Sequence, residues 1–102
     1  PGQFREKRAI RVTHNGKSVN ELNELEYIRG DIWANVYGED LIYIINPKNG
    51  EVKGLIDCKN LLPARERNSE MVLNGIAFEP LSGKIFLTGK LWPRLYQVEL
   101  VR

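Results

Sequence analysis

The sequence has only one cysteine, one histidine and one methionine among its 102 residues. A single cysteine excludes an intrachain disulfide, and one cysteine with one histidine cannot supply the four ligands of a structural zinc site. We therefore expect Cys58 to be a packed thiol and His14 to be a loop residue within a turn-like His14-Asn15-Gly16-Lys17 stretch.

Long apolar runs and a strong net charge are also missing. No run approaches the roughly 20 apolar residues that a membrane-spanning helix needs, so no membrane partner is predicted. The net charge is +2, and basic residues alternate with acidic ones, as in Arg5-Glu6-Lys7-Arg8. Such mixing indicates solvated loops and edges rather than a nucleic-acid-binding surface. Because the chain starts at Pro1-Gly2, we expect a processed or cut product, which leaves its localisation unknown.

The residues that are present predict short strands separated by turns. Runs rich in β-branched and aromatic residues lie between Gly-, Pro- and Asn-containing turn signals that recur every 8–12 residues, and no run has a sustained helical period. Residues 61–71 could hold one irregular helical turn. The predicted fold class is therefore all-β, with strands at Ile10 to Thr13, Ile32 to Tyr37, Leu41 to Ile45, Val52 to Ile56, Ile85 to Thr88 and Leu95 to Leu100.

An internal repeat organises these strands. Leu22 to Tyr27 matches Leu73 to Phe78 at an offset of 51 residues, and Ile32-Trp33 matches Ile85-Phe86 at an offset of 53 after a longer turn. The matched unit is a hairpin followed by a third strand, and Val52 to Ile56 adds a fourth strand to the first copy. Four antiparallel strands in about 50 residues are typical of a β-propeller blade.

The repeat divides the chain into parts of a propeller. We predict the outer strand of a preceding blade within residues 8–21, a complete blade at 22–60, a loop at 61–72, and a last blade at 73–102 that lacks its closing strand. A propeller needs about four to eight blades to close. We therefore expect the remaining blades to come from the same protein or from a companion chain, and the missing strand to come from elsewhere, such as the N-terminal segment of the full protein.

Four polar or aromatic residues are predicted to share one end of the inner strands. Asn23 and Asn74 start the first strand of each copy, whereas Tyr37 and Lys90 end the second strand and are equivalent at the 53-residue offset. Since paired antiparallel strands bring a start beside an end, all four fall on one rim of the propeller. Taken singly, each has a plainer interpretation, such as a turn asparagine or a solvated lysine. Their occurrence on one rim favours a ligand site as strongly as these plainer interpretations.

Three stretches resemble the glutaminyl cyclases of the plant and bacterial type. They occur in the order and at the spacing of that family: Leu22-Asn23-Glu24-Leu25-Glu26-Tyr27 leading to Ile32-Trp33-Ala34-Asn35-Val36, then Leu73-Asn74-Gly75-Ile76-Ala77, then Thr88-Gly89-Lys90-Leu91-Trp92-Pro93-Arg94-Leu95. The resemblance implies a five-bladed propeller, of which this chain supplies about two blades. It also implies an enzyme that converts the N-terminal glutamine of a peptide to pyroglutamate with release of ammonia, and a periplasmic or secreted location. No catalytic metal and no other cofactor is expected for such an enzyme, which agrees with the lack of a metal-ligand cluster in the sequence.

The resemblance further implies individual roles. Asn23 and Lys90 match catalytic positions of the family, and Tyr37 and Asn74 are predicted to bind the substrate. The family mostly has tryptophan where this chain has Tyr37, which offers less stacking area and an additional hydroxyl. The essential glutamate of the family lies in an earlier blade outside this chain. We interpret Glu24 and Glu26 as structural residues, with Glu24 a candidate for orienting Asn23.

Two other functions remain open from the sequence. A propeller that binds a ligand or a protein without catalysis would lack an acid on the matching rim of an earlier blade. A purely structural repeat would place Asn23, Tyr37 and Lys90 far apart or on different ends, because site residues must converge on one small ligand.

Overall fold

The computed structural model describes residues 2–3, 5–37, 39–59, 61, 73–92 and 95–100. Within these residues all regular structure is β-strand. The nine strands are β1 (Thr13–His14), β2 (Lys17–Ser18), β3 (Leu22–Ile28), β4 (Asp31–Val36), β5 (Leu41–Ile45), β6 (Val52–Asp57), β7 (Leu73–Glu79), β8 (Lys84–Gly89) and β9 (Tyr96–Val98).

The strands form two antiparallel meanders and one short hairpin. The first sheet has the order β3-β4-β5-β6, and the second has the order β7-β8-β9. Each strand is joined to its sequence neighbour, and every pairing within these sheets is antiparallel. The first sheet therefore has the four strands predicted for a blade, and the described part of the second has three.

Turn length accounts for the change in repeat offset. Two residues, Arg29 and Gly30, join β3 to β4, and both have positive φ angles of 49° and 90°. Two left-handed residues in succession make the tight hairpin turn whose twist suits paired strands. The turn between β7 and β8 spans residues 80–83, and Glu79 accepts hydrogen bonds there from the backbone N–H groups of Leu81 and Ser82. The second turn is two residues longer, as the offsets of 51 and 53 require.

The core lies between the two sheets. Trp33 and Ile42 on the first sheet pack with Leu73, Ile85 and Leu87 on the second. Trp33 pairs with Ile44, and Asn35 pairs with Ile42, so these positions share the face of the first sheet that meets the second sheet. The inner strands β3 and β7 are in contact, and β7 also contacts β4. Adjacent inner strands are the arrangement that a propeller axis imposes.

The opposite face of the first sheet carries the N-terminal hairpin. His14 on β1 stacks on Tyr43 of β5 with ring centroids 5.6 Å apart. Asn15 and Gly16 form the hairpin turn with φ angles of 53° and 79°. His14 is therefore a strand residue with a stacking partner, and the expectation of a simple loop histidine was wrong.

The strand predicted over Ile10 to Thr13 was also misplaced. Residues 10–12 lie outside strands, and the short strand β1 begins only at Thr13. The segment docks instead on the turn between β5 and β6: the Thr13 N–H donates to the Gly50 carbonyl oxygen at 3.0 Å, and Arg8 donates to the Pro47 carbonyl oxygen at 2.8 Å. Among the described residues no strand ladder includes residues 10–12, although the Val12 carbonyl oxygen accepts the Val19 N–H at 2.9 Å beyond the β1–β2 pairs.

The connection between the two sheets falls mainly outside the described residues. This applies to most of the loop predicted at 61–72 and to the irregular helical turn considered at 61–71, of which only Leu61 is described. The third strand of the second sheet is shorter than predicted, at Tyr96–Val98 rather than Leu95 to Leu100.

Candidate functional site

Two β-bulges open the inner strands at the same end of both sheets. In the first sheet Leu22 pairs with Val36 and Leu25 pairs with Ala34, so Asn23 and Glu24 together face Asn35. In the second sheet Leu73 pairs with Gly89 and Gly75 pairs with Thr88, so Asn74 is the additional residue. A bulge bends its strand and redirects a side chain that would otherwise follow the alternation of the ladder. Each bulge contains one of the predicted asparagines.

The two asparagines meet across the boundary between the sheets. The Asn23 side-chain amide donates to the Asn74 side-chain oxygen at 2.5 Å. Asn23 is exposed and Asn74 is half-buried, so the pair lies at the surface of the rim with the sheet contact beneath it. This hydrogen bond uses one amide hydrogen of Asn23. Because the side-chain amide is planar, the same bond also restricts the orientation of the Asn23 carbonyl oxygen. The pair can offer both donors and an acceptor to a polar ligand.

Tyr37 lies beside the beginning of β3. It follows the last residue of β4, and its backbone N–H donates to the Glu21 carbonyl oxygen at 2.8 Å. The Tyr37 side chain is 62% exposed and therefore accessible for stacking. Strand pairing thus places the Tyr37 backbone beside Glu21, two residues before Asn23, as the repeat arithmetic predicts.

Lys90 lies at the beginning of β7 in the same way. It follows Gly89, the pairing partner of Leu73, and its side chain is exposed. The Trp92 N–H donates to the Gly89 carbonyl oxygen at 3.1 Å, and this bond closes the turn that carries Lys90. All four predicted site residues therefore occur at one end of the inner strands. Their catalytic and binding roles stay predictions.

The two glutamates of the first strand do not join this group by any hydrogen bond found among the described residues. Glu24 is an exposed residue of the bulge, and Glu26 is a half-buried residue that pairs with Trp33. Both are compatible with the structural interpretation given to them.

Asn35 was not singled out from the sequence, although it lies directly behind the Asn23 bulge. It is completely buried, and neither its amide nitrogen nor its amide oxygen has a hydrogen-bond partner among the described residues. A buried polar group without a partner costs on the order of 1–3 kcal/mol. The signal in the sequence was a single asparagine within the apolar run from Ile32 to Val36.

Cys58 is a packed thiol, as predicted. It is 7% exposed and belongs to the core between the sheets. Burial, with smaller contributions from the charges of Asp57 and Asp40, raises the pKa of the Cys58 thiol from 9.0 to about 11. The thiol is therefore neutral near pH 7, whereas a nucleophilic cysteine needs a depressed pKa.

Metal-ligating side chains do not cluster in the part of the chain that the structure describes. No group of three or more His, Cys, Asp and Glu side chains there could hold a metal ion. No helix among the described residues is long and apolar enough to cross a membrane.

Comparisons with known proteins agree on one family. The family model described as glutamine cyclotransferase matches residues 1–100. A glutaminyl-peptide cyclotransferase of Arabidopsis thaliana is 46% identical over 93 residues, which are 87% of this chain and 29% of the plant protein. The crystal structure of the glutaminyl cyclase of Myxococcus xanthus superposes with a TM-score of 0.80 at 44% identity, covering 88% of this chain and 40% of the bacterial chain.

These matches confirm the predicted fold class, an all-β fragment of a β-propeller. The chain spans well under half the length of either relative. The resemblance that the three sequence motifs suggest is confirmed over nearly the whole chain. The chain belongs to the glutamine cyclotransferase family.

Proposed function

We propose that this chain, as part of a complete propeller, is a glutaminyl-peptide cyclotransferase. It would convert the N-terminal glutamine of a peptide to pyroglutamate and release ammonia, as an acyltransferase that needs no metal. The observation that carries the proposal is the Asn23–Asn74 hydrogen bond, which joins the two sheets at the rim where Tyr37 and Lys90 follow their strands. The names of the two relatives support the same activity.

The reaction closes a five-membered lactam. The neutral α-amine attacks the γ-carboxamide carbon, the bond from that carbon to the amide nitrogen breaks, and one proton passes from the attacking nitrogen to the leaving ammonia. Both reactants belong to one residue, so the enzyme has mainly to hold the folded conformer. It must also stabilise the oxyanion that develops on the γ-oxygen and protonate the leaving group.

The rim residues divide these tasks. Lys90 would polarise the γ-carbonyl oxygen. Asn23, whose amide nitrogen donates to Asn74, would accept a hydrogen bond from the substrate amine through its carbonyl oxygen. Tyr37, with its exposed ring, would stack on the flat carboxamide. The proton transfer requires a group that accepts the proton of the attacking amine and passes it to the leaving nitrogen. We assign this role to a glutamate on another blade, because none of these four residues is a carboxylate.

The first sheet has an exposed apolar surface that a further blade would cover. On the face away from the second sheet, Leu25, Tyr27 and Leu55 are 58%, 64% and 49% exposed. Leu25 aligns across the strands with Ala34, Tyr43 and Leu55, so these side chains form one face. Apolar side chains aligned in this way are typical of a surface that another element covers. We propose that a preceding blade of the same protein packs there.

Release of ammonia from a peptide with N-terminal glutamine tests the proposal in the full-length protein. Lys90→Ala is expected to lower kcat about a hundredfold or more, the usual cost of losing one preorganised oxyanion donor. Lys84→Ala is the matched control, because Lys84 is an exposed lysine at the opposite end of the same strand β8. Turnover should also persist in the presence of a metal chelator.

Three results would count against this assignment. Near-normal turnover of Lys90→Ala would remove Lys90 from the mechanism. Saturable binding of the peptide without ammonia release would favour a binding propeller instead of an enzyme. Full activity of the isolated 102 residues would show that no residue outside this chain is needed.

A further inference from the structure

A second polar contact joins the two sheets beside the asparagine pair. Asp40 ends the loop between β4 and β5, and its carboxylate oxygen Oδ1 accepts a hydrogen bond from the backbone N–H of Leu73 at 3.3 Å. Leu73 is 1% exposed and immediately precedes Asn74. The loop of one sheet thus holds the first residue of the inner strand of the next sheet, one residue away from the predicted site.

Asp40 is itself fixed by its own sheet. Its backbone carbonyl oxygen accepts the N–H of Cys58 at 2.8 Å, just after β6 ends. The carboxylate lies near enough to this thiol to be one of the charges that raise the Cys58 pKa, after burial and Asp57. Because the Asp40 backbone is anchored in this way, its side chain can act as a fixed acceptor for the next sheet.

The start of β7 needs such an anchor because Asn74 lies in a bulge. The regular ladder is interrupted between Leu73 and Gly75, so the ladder alone does not fix the direction of the Asn74 side chain. Asn23 and Asn74 belong to different sheets, and their hydrogen bond depends on how these sheets are aligned at the rim. The Asp40–Leu73 contact sets that alignment at the adjacent residue.

We propose that Asp40 is a positioning residue, which holds Asn74 against Asn23 through the Leu73 amide. The effect on catalysis rests on the proposed cyclotransferase function, whereas the effect on geometry does not. In this scheme Asp40 touches no substrate and acts on the site through the neighbouring strand.

Kinetics of the full-length protein test the catalytic part. Since a misplacement of about 1 Å can cost roughly a hundredfold, we expect Asp40→Ala to lower kcat/KM about tenfold for a partial displacement. Asp40→Asn keeps an acceptor oxygen in place and should recover kcat/KM to within about threefold. Asp57→Ala is the matched control. That carboxylate lies at the same end of the sheet but accepts from Lys59 within its own loop, so kcat/KM should stay within about twofold.

A double-mutant cycle separates positioning from simple destabilisation. If Asp40 acts through Asn74, Asp40→Ala should cause little further loss of kcat/KM in an Asn74→Ala background. An equal loss in both backgrounds would overturn the proposal. If Asp40→Ala does not fold, Asp40→Ser repeats the test, because its shorter side chain withdraws the acceptor from Leu73.

Crystal structures of the same variants test the geometry independently of activity. Asp40→Ala should break the Asn23–Asn74 hydrogen bond, and Asp40→Asn should keep it. An intact bond in Asp40→Ala would overturn the proposal even if the enzyme is active. If the wild-type protein released no ammonia, the cyclotransferase proposal would fail while this structural result still decided the role of Asp40.

Discussion

Gly75 is the position where one methyl group should disturb the candidate site most directly. It lies in the bulge next to Asn74 and pairs with Thr88, two residues before Lys90. A Cβ atom at Gly75 would lie 2.9 Å from the Thr88 Cγ2 atom, whereas ordinary van der Waals contacts begin at 3.4 Å. Thr88 is β-branched and has few rotamers available in a strand, so much of the relief must come from movement of the backbone.

The required movement is about 0.5 Å, which gives the expected magnitude. Misplacement of a catalytic group by about 1 Å costs on the order of a hundredfold in rate, so half that distance corresponds to about tenfold. We therefore expect Gly75→Ala to lower kcat/KM about tenfold and to cost roughly 1–3 kcal/mol of stability, as overpacking does.

The assay is ammonia release by the full-length protein, with unfolding in urea measured in parallel. Gly54→Ala is the control, because a Cβ atom there would meet Ile44 at an ordinary 3.5 Å and lies far in the chain from the rim asparagines. It should change neither kcat/KM nor stability appreciably. If Gly75→Ala were as active and as stable as the wild type, the close packing of β7 on β8 behind Lys90 would be refuted as a determinant of the site.

Two further predictions concern the support of the blade. Gly50→Ala should destabilise the protein by about 1 kcal/mol more than Gly16→Ala, although the two φ angles are nearly equal at 78° and 79°. A Cβ atom at Gly50 would overlap the Arg11 carbonyl oxygen and break the Thr13–Gly50 hydrogen bond, whereas Gly16 has open space. Equal unfolding midpoints of the two variants in urea would contradict the docking of the N-terminal segment. Cys58 should resist alkylation of the native protein at pH 7–8 and react once the chain unfolds. The folded pKa of Cys58, about 11, exceeds the unfolded value of 9.0, so its contribution to stability is complete below pH 9 and is lost as the pH rises toward 11. The free energy of unfolding of Cys58→Ala should therefore fall less steeply between pH 9 and pH 11 than that of the wild type.

The repeat predicted most of the fold because its information is local. Strand β5 was predicted with its bounds, and β4 and β6 to within a residue. Runs of β-branched and aromatic residues between Gly- and Asn-containing turns are a direct consequence of strand and hairpin geometry. Ile10 to Thr13 has the same composition yet is not a strand before Thr13. Whether a β-prone segment forms a ladder depends on a neighbouring strand, and the segment itself does not encode that neighbour.

The candidate site was predictable only in part for a related reason. The equivalence of Tyr37 with Lys90 followed from the spacing, because antiparallel pairing converts a sequence offset into a position along the sheet. The Asp40–Leu73 contact and the burial of Asn35 did not follow. Both depend on how the second sheet packs on the first. From the sequence alone, an aspartate after a turn is expected to accept from nearby backbone N–H groups, and a contact with a different sheet is not expected.

The two bulges explain how a repeated unit can make a site that has no symmetry. Each copy uses the same backbone device to turn one asparagine out of the ladder at the rim, so adjacent copies bring Asn23 and Asn74 together at their boundary. The strand ends then differ, with Tyr37 in one copy and Lys90 in the other, so one blade supplies an aromatic surface and the next a positive charge. The proposed carboxamide substrate has a flat face and an oxygen that becomes negative during attack, and in the proposed mechanism these two groups would match those two features. The repeat therefore supplies the scaffold, and the divergence of its copies at one position would supply the chemistry.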